Sequence, residues 1–216
     1  MMIAFFDLDR TLLSTNSAKG WIAQEYREGR MTTKNLTKAL WWLMVYRFRG
    51  TGMEQAIDQG AATLCSTKED IFVDRTRQYW EEKCHPKIRK GSYQCIQWHK
   101  EQDHHIVLIT GSSIYLAQFA AEEFGIPHVL ANRFVVKDGI FTGETHKPLC
   151  YGEGKVVLAE KILHQLNTSF AQAFFYTDSY SDVPLLEKVA HPRVIAPDMR
   201  LKKYSHQRGW SILDWD

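Results

Sequence analysis

Residues 2–8 read MIAFFDL: five apolar side chains in a row, Met2 to Phe6, then Asp7 and, two positions on, Asp9. A short apolar run without alternation is the pattern of a strand buried on both faces, which calls for a parallel sheet covered by helices. The pattern recurs at His105–Thr110 (HIVLIT), Ala173–Thr177 (AFFYT) and Arg193–Ala196 (RVIA), the last read as the final strand. A further strand is expected near 128–134. Helical periodicity fills the spaces at about 87–102, 113–124, 154–166 and 182–190. Helices alternating with such runs define an α/β core. Lys137-Asp138-Gly139 reads as the turn of a hairpin joining strands near 133–137 and 140–143.

One stretch breaks the alternation. From Ser17 to about Cys84 the periodicity is helical throughout, with expected helices at 17–29, 33–49, 53–65 and 68–84. Gly29, Gly50 and Gly52 punctuate them, and Thr32, Thr51 and Thr67 are cap candidates. The chain therefore reads as a core of 1–13 and 86–216, interrupted after its first strand by an all-helical insertion at 14–85. With 216 residues and 44% hydrophobic content it can bury such a core.

The net charge of +2 and the scattered basic residues argue against a nucleic-acid partner. Cys65, Cys84, Cys95 and Cys150 form no CxxC pair, so free thiols in a reducing compartment are expected. No apolar stretch reaches the roughly 20 residues of a membrane span, and the N-terminus lacks the basic region of a signal peptide. These features predict a cytoplasmic protein with no membrane partner. The nine histidines share no metal spacing. His104-His105, before a strand, is not read as a ligand pair.

In open α/β sheets ligands bind beyond the carboxyl ends of the strands. Asp7, Asp9 and Thr11 follow the first strand here. Thr110, Gly111 and Ser112 follow the second, and Asp178, Ser179, Ser181 and Asp182 follow the strand from Ala173; Lys155 opens the helix before it. Neighbouring strands would pool four carboxylates, which repel unless a cation sits among them. Hard oxygen ligands favour magnesium. The Thr110-Gly111-Ser112 turn before a helix is an anion site by its free N–H groups and the helix dipole. With Lys155, the set describes phosphoryl transfer to an aspartate. Taken singly, each has a plainer reading: the aspartates as turn residues, Thr110-Gly111-Ser112 as a helix cap, Lys155 as a solvated lysine.

DLDRT, LITGSS, the lysine of GEGK and YTDSYSD, in that order, resemble the four motifs of the haloacid dehalogenase-like superfamily. The insertion resembles its C1 helical cap, and the phosphoserine-phosphatase-like branch is the nearest by pattern. The resemblance implies a Rossmann-like three-layer core carrying an inserted cap. It implies Asp7 as the nucleophile that becomes an aspartyl-phosphate, and Asp9 as the acid/base. Magnesium would rest on Asp7, the Asp9 backbone carbonyl and Asp178, with Asp182 acting through water or by orienting neighbours. Thr110, the Gly111 amide and, more weakly, Ser112 would hold phosphate. Lys155 would bind it too and brace Asp7.

The expected activity is magnesium-dependent hydrolysis of a small phosphorylated metabolite. Transfer of the phosphoryl group to an alcohol, or a catalytically idle binding module, stay open as alternatives. True phosphoserine phosphatases carry a glutamate nine residues after the nucleophile; Asn16 stands there, and Ser181 precedes Asp182 where they have asparagine. Candidate substrate readers are Arg10, Trp21, Glu25, Arg27, Arg47 and Arg49. Arg10 either pairs with a carboxylate at the cap hinge or reads an anionic part of the substrate. Leu40–Tyr46 (LWWLMVY) predicts a helix apolar nearly all round, read as buried in the cap, as a lid, or as a docking surface.

Overall fold

The computed structural model describes residues 1–33, 37 and 52–215. Its strands are β1 (Ile3–Phe6), β2 (His105–Ser113), β3 (His128–Asn132), β4 (Phe134–Lys137), β5 (Ile140–Thr145), β6 (Ala173–Thr177), β7 (His191–Ile195) and β8 (Ser211–Leu213). Six of them form one sheet in the order β3-β2-β1-β6-β7-β8, with every neighbouring pair parallel. β4 and β5 pair separately as an antiparallel hairpin. Its turn needs left-handed backbone at two successive residues, Asp138 (φ 52°) and Gly139 (φ 73°), which is what an Asp-Gly pair supplies.

The described helices are α1 (Ser17–Arg27), α2 (Met53–Ala62), α3 (Glu69–Tyr79), α4 (Lys90–Glu101), α5 (Ile114–Phe124), α6 (Glu153–Gln165), α7 (Val183–Leu186) and α8 (Met199–Arg208). Alternate side chains of β1 enter opposite layers. Ala4 and Phe6 pack with Ile96 of α4 and Leu116, Ala120 and Phe124 of α5. Ile3 and Phe5 pack with Val156, Ala159 and Ile162 of α6. Each large side chain so buried stabilises the fold by about 1.5–3 kcal/mol. Covered on both faces, β1 has no polar side to show, which is why its run is apolar throughout.

Residues 14–85 leave and rejoin the sheet through two adjacent segments. Leu13 and Ile88 form an isolated antiparallel bridge. The Ser14 amide donates to the Lys87 carbonyl at 2.8 Å, and the Arg89 amide to the Leu12 carbonyl at 3.0 Å. The helices between them rest on the hairpin. Phe141 N–H donates to Thr67 O (3.0 Å), Ser66 N–H to Phe141 O (3.0 Å) and Glu69 N–H to Gly139 O (2.9 Å). Asp58 on α2 accepts from Thr145 Oγ1 at 2.6 Å and from Lys147 Nζ at 2.8 Å.

Several details differ from the sequence reading. The strand at Arg193 is not the last, because α8 and β8 follow it. β2 runs on to Ser113, so Thr110, Gly111 and Ser112 are extended backbone and Ser113 caps α5. The expected helix at 182–190 shrinks to Val183–Leu186. The expected helix at 33–49, with Leu40–Tyr46, Arg47 and Arg49, lies outside the described residues. Among the described residues no helix is long and apolar enough to cross a membrane.

Candidate active site

The ladder of β1 continues one residue past its end, where the Asp7 amide donates to Tyr176 O at 2.9 Å. Leu8–Leu12 then form one wide helical turn, closed by Leu13 N–H on Leu8 O at 2.9 Å. Inside it Asp9 is extended (ψ 127°) and Arg10 left-handed (φ 59°). This break sends the Asp7 and Asp9 carboxylates to different surroundings.

Asp7 meets Lys155, whose ammonium donates to Asp7 Oδ1 and to Asp182 Oδ2, each at 2.8 Å. All three side chains are almost wholly buried. Gly154 makes this placement possible: a Cβ there would collide with the Leu149 carbonyl, so the first turn of α6 can lie on that loop only without one. Thr177 Oγ1 donates to Asp182 Oδ2 at 2.6 Å. Asp182 Oδ1 is buried with no hydrogen-bond partner among the described residues. Arg10 Nε lies 3.4 Å from Asp178 Oδ2. Arg10 therefore faces a carboxylate of the site, not one at the hinge.

Asp9 has a separate set of partners. Its Oδ1 accepts from the Ser17 amide at 2.7 Å, and its Oδ2 accepts from the hydroxyls of Ser17 and Ser112, each at 3.0 Å. Burial raises its pKa, while these hydrogen bonds from Ser17 and Ser112 pull it back down. Asp7 is pushed up to about 7, first by burial and then by Asp182 and Asp9, against the pull of Lys155. Asp178 is pushed up to about 8 by burial and by Asp7, with Arg10 opposing. Asp182 and Asp7 hold the Lys155 ammonium firmly protonated against its burial.

Four carboxylates thus share two cationic side chains, Lys155 and Arg10, and one buried carboxylate oxygen has no donor. By charge this set suits a divalent cation, which would offset the repulsion that lifts Asp7 and Asp178, although among the described residues no three carboxylate, histidine or cysteine side chains stand together as a ready-made cage. Thr110 is buried, and its hydroxyl accepts from the Ser112 amide at 3.1 Å. The Ser17 and Ser112 hydroxyls lie 3.0 Å apart. Among the expected phosphate residues, Ser112 is thus tied to Asp9.

Beside these serines opens a cavity of about 370 Å³, with Ser17, Ser112 and Gly111 at one end and Trp21, Met31, Met53, Ile57, Phe72 and Phe134 along its walls. Of the expected substrate readers, Trp21 lines it. Glu25 does not: it is buried in ion pairs with Arg30 and Arg75, so its charge is met within the protein. Arg27 is exposed and donates to Ala23 O. Asn16 caps α1, accepting from the Lys19 amide at 2.9 Å.

Ser17 and Asn132 carried no sequence signal, and Ser112, expected as a phosphate residue, carried none for its contact with Asp9. Ser17 and Ser112 reach Asp9 from positions 8 and 103 residues away. Asn132 joins two loops of the site, donating to Gly111 O at 2.6 Å and accepting from the Cys150 amide at 2.8 Å. The Cys150 thiol is pushed up to about 12 by burial, so it stays protonated. Thr177, at the end of an apolar strand, could have been marked by the strand-end rule that marked Asp178.

A parallel sheet with carboxylates, hydroxyls and a lysine gathered at its carboxyl ends is the architecture of an α/β enzyme. A profile of the haloacid dehalogenase-like hydrolases matches residues 4–187, and the chain belongs to that family. Phosphoserine phosphatase from Mycobacterium tuberculosis is 27% identical over 98% of this chain and 70% of its own. Histidinol-phosphatase from Neisseria meningitidis is 23% identical over 99% of this chain and 98% of its own. A Bordetella pertussis protein of unknown function shares the fold with a TM-score of 0.89, at 25% identity over 99% of this chain and 98% of that one.

Proposed function

We propose that this hydrolase is a magnesium-dependent phosphomonoesterase acting on a small phosphorylated metabolite through an aspartyl-phosphate on Asp7. The observation that carries this reading is the division of partners between Asp7 (Lys155) and Asp9 (Ser17 and Ser112). It supports reading Asp7 as the nucleophile and Asp9 as the proton carrier. Residues 14–85 would be the cap, and 1–13 with 86–216 the catalytic core.

Asp7, Asp178 and the backbone carbonyl of Asp9 would hold the magnesium, with Asp182 orienting Lys155 beside them. Once bound, the ion supplies positive charge against the phosphate oxygens. In the first step an Asp7 oxygen bonds phosphorus, the bond to the leaving oxygen breaks, and Asp9 gives that oxygen its proton. In the second step Asp9 takes a proton from water, the water oxygen bonds phosphorus, and Asp7 is released. Lys155 keeps Asp7 oriented and faces the phosphate charge. Thr110 and the Gly111 amide receive the remaining phosphate oxygens.

The names of the two relatives make phosphoserine and histidinol phosphate natural members of a first substrate panel. The test is phosphate release across a panel of phosphometabolites, with magnesium and with chelator. Magnesium-dependent release that disappears in Asp7→Asn is expected. Full hydrolysis of an aryl phosphate by Asp7→Asn would overturn the nucleophile assignment.

A further inference from the structure

The leaving group of the substrate is bonded to the oxygen that Asp9 protonates, so it must lie next to Asp9. The 370 Å³ cavity opens beside the partners of Asp9: Ser17 and Ser112 both touch Asp9 and line that cavity. Its lining contains no Asp, Glu, Lys, Arg or His among the described residues. Several of its polar groups have partners within the protein. Tyr79 Oη donates to Ser17 O, Thr76 Oγ1 to Phe72 O and Thr63 Oγ1 to Gly60 O, while Asn132 holds Gly111 and Cys150. The charges nearest the aromatic wall, Glu25 and Arg75, neutralise each other, and Arg75 stacks over the Trp21 ring at 5.6 Å.

An ammonium or carboxylate placed against these described walls would lose water and gain no counter-charge from them, a heavy penalty. An apolar group would gain the contact of Trp21, Phe72 and Phe134 and shed its own hydration. We propose that the substrate is the phosphate monoester of an uncharged, largely apolar alcohol, its carbon skeleton lying between Trp21, Ile57 and Phe72. This rests on the phosphomonoesterase reading and adds the class of leaving group to it. The cavity is of the size that takes a ring or a branched chain of drug-like dimensions.

The test compares alkyl phosphates, so that intrinsic reactivity varies less than it would against aryl esters: 2-phenylethyl phosphate, O-phosphoethanolamine and O-phospho-L-serine. With the full chain and magnesium, kcat/KM for 2-phenylethyl phosphate is expected to exceed the other two by at least about tenfold, a margin that a few buried methylenes supply. Ile57→Asp should cut the phenylethyl ester by a similar factor and raise phosphoethanolamine. Gly60→Leu, where an added Cβ meets open space, should lower the phenylethyl ester while p-nitrophenyl phosphate is still hydrolysed. Calorimetric binding to Asp7→Asn gives a readout free of turnover, with the phenylethyl ester again tighter by about tenfold. Equal turnover and equal binding of all three esters, unchanged by Ile57→Asp, would overturn the apolar-alcohol assignment and leave the phosphomonoesterase reading intact. Release from none of them, p-nitrophenyl phosphate included, would sink that reading; selective binding by Asp7→Asn would then still support the cavity's ligand class, and equal binding would overturn it.

Discussion

Asp7 and Asp9 leave the same strand two residues apart yet share no hydrogen-bond partner: Lys155 reaches Asp7 at 2.8 Å, while Ser17 and Ser112 hold Asp9. The left-handed Arg10 and the wide turn around it produce this separation. Two chemically identical side chains thereby meet different surroundings, to which the proposed mechanism assigns different tasks.

Removing the proton carrier should leave a visible intermediate. Asp9→Asn is expected to lose 10²- to 10⁴-fold in turnover, the usual range for general acid–base catalysis. The loss should be larger for alkyl than for aryl phosphates, because aryl oxides leave without a proton. Acid-quenched protein should then carry phosphate on Asp7. An equal loss on both ester types, with no trapped phosphoprotein, would contradict the assigned role.

Ser17→Ala removes one of the donors to the Asp9 carboxylate and keeps the backbone amide. Hydrogen bonds to a carboxylate favour its charged form, so losing one raises the Asp9 pKa. The basic limb of the kcat/KM profile, which reports the protonated Asp9 that serves the leaving oxygen, should move to higher pH, while KM changes little. A profile that scales down without moving would show that Ser17 acts only on the fold.

Lys155→Met is expected to destabilise the chain by about 3–5 kcal/mol, as is usual when one partner of a buried ion pair is deleted. Asp7 and Asp182 would be left facing each other with no cation. Urea unfolding gives the stability and phosphate release the activity. Retained stability would mean that the two aspartates take up protons to escape the repulsion.

His99 is fully buried, bonded to Tyr176 and His104, and burial pushes it down to about 3. The unfolded chain takes up that proton near pH 6.5 and the folded chain only near 3, so the unfolded state binds more protons between them. The contribution of His99 is complete above pH 6.5 and is lost as pH falls towards 3. His99→Gln cannot titrate. Its unfolding free energy should vary less steeply with pH across that window than the parent's, and parallel curves would refute the account.

Glu25→Gln tests whether that residue reads substrate or supports the helices. Partly deprived of its counter-charge, Arg75 should cost about 2 kcal/mol of stability. KM should stay where it was. A raised KM at unchanged stability would restore Glu25 as a reader.

What could be read from the sequence followed from how far each signal extends. β1 and β6 were legible almost to the residue, since a strand covered on both faces must be apolar throughout. α8 was not: it buries only Leu201 and Ser205 among lysines, arginines and histidines, so no apolar stripe marks it. β8 is a three-residue edge strand with exposed side chains, too short for a period to appear. The same holds for the site. Asp7, Lys155 and Asp178 sit at strand ends and helix starts, where a rule points to them. The Ser17 and Ser112 contacts to Asp9, and the Glu25–Arg75 pair 50 residues apart, exist only once the chain is folded.

The neck between Leu12–Ser14 and Lys87–Arg89 bears on how such a protein can change over generations. Only two short segments, already bonded to each other, connect the aromatic cavity walls of α1 to α3 with the sheet that carries Asp7 and Lys155. Substitutions between those segments, Ser17 with its bonds to Asp9 excepted, can reshape the cavity without moving a strand. Selection can therefore act on substrate preference and on bond-breaking chemistry as two nearly independent traits.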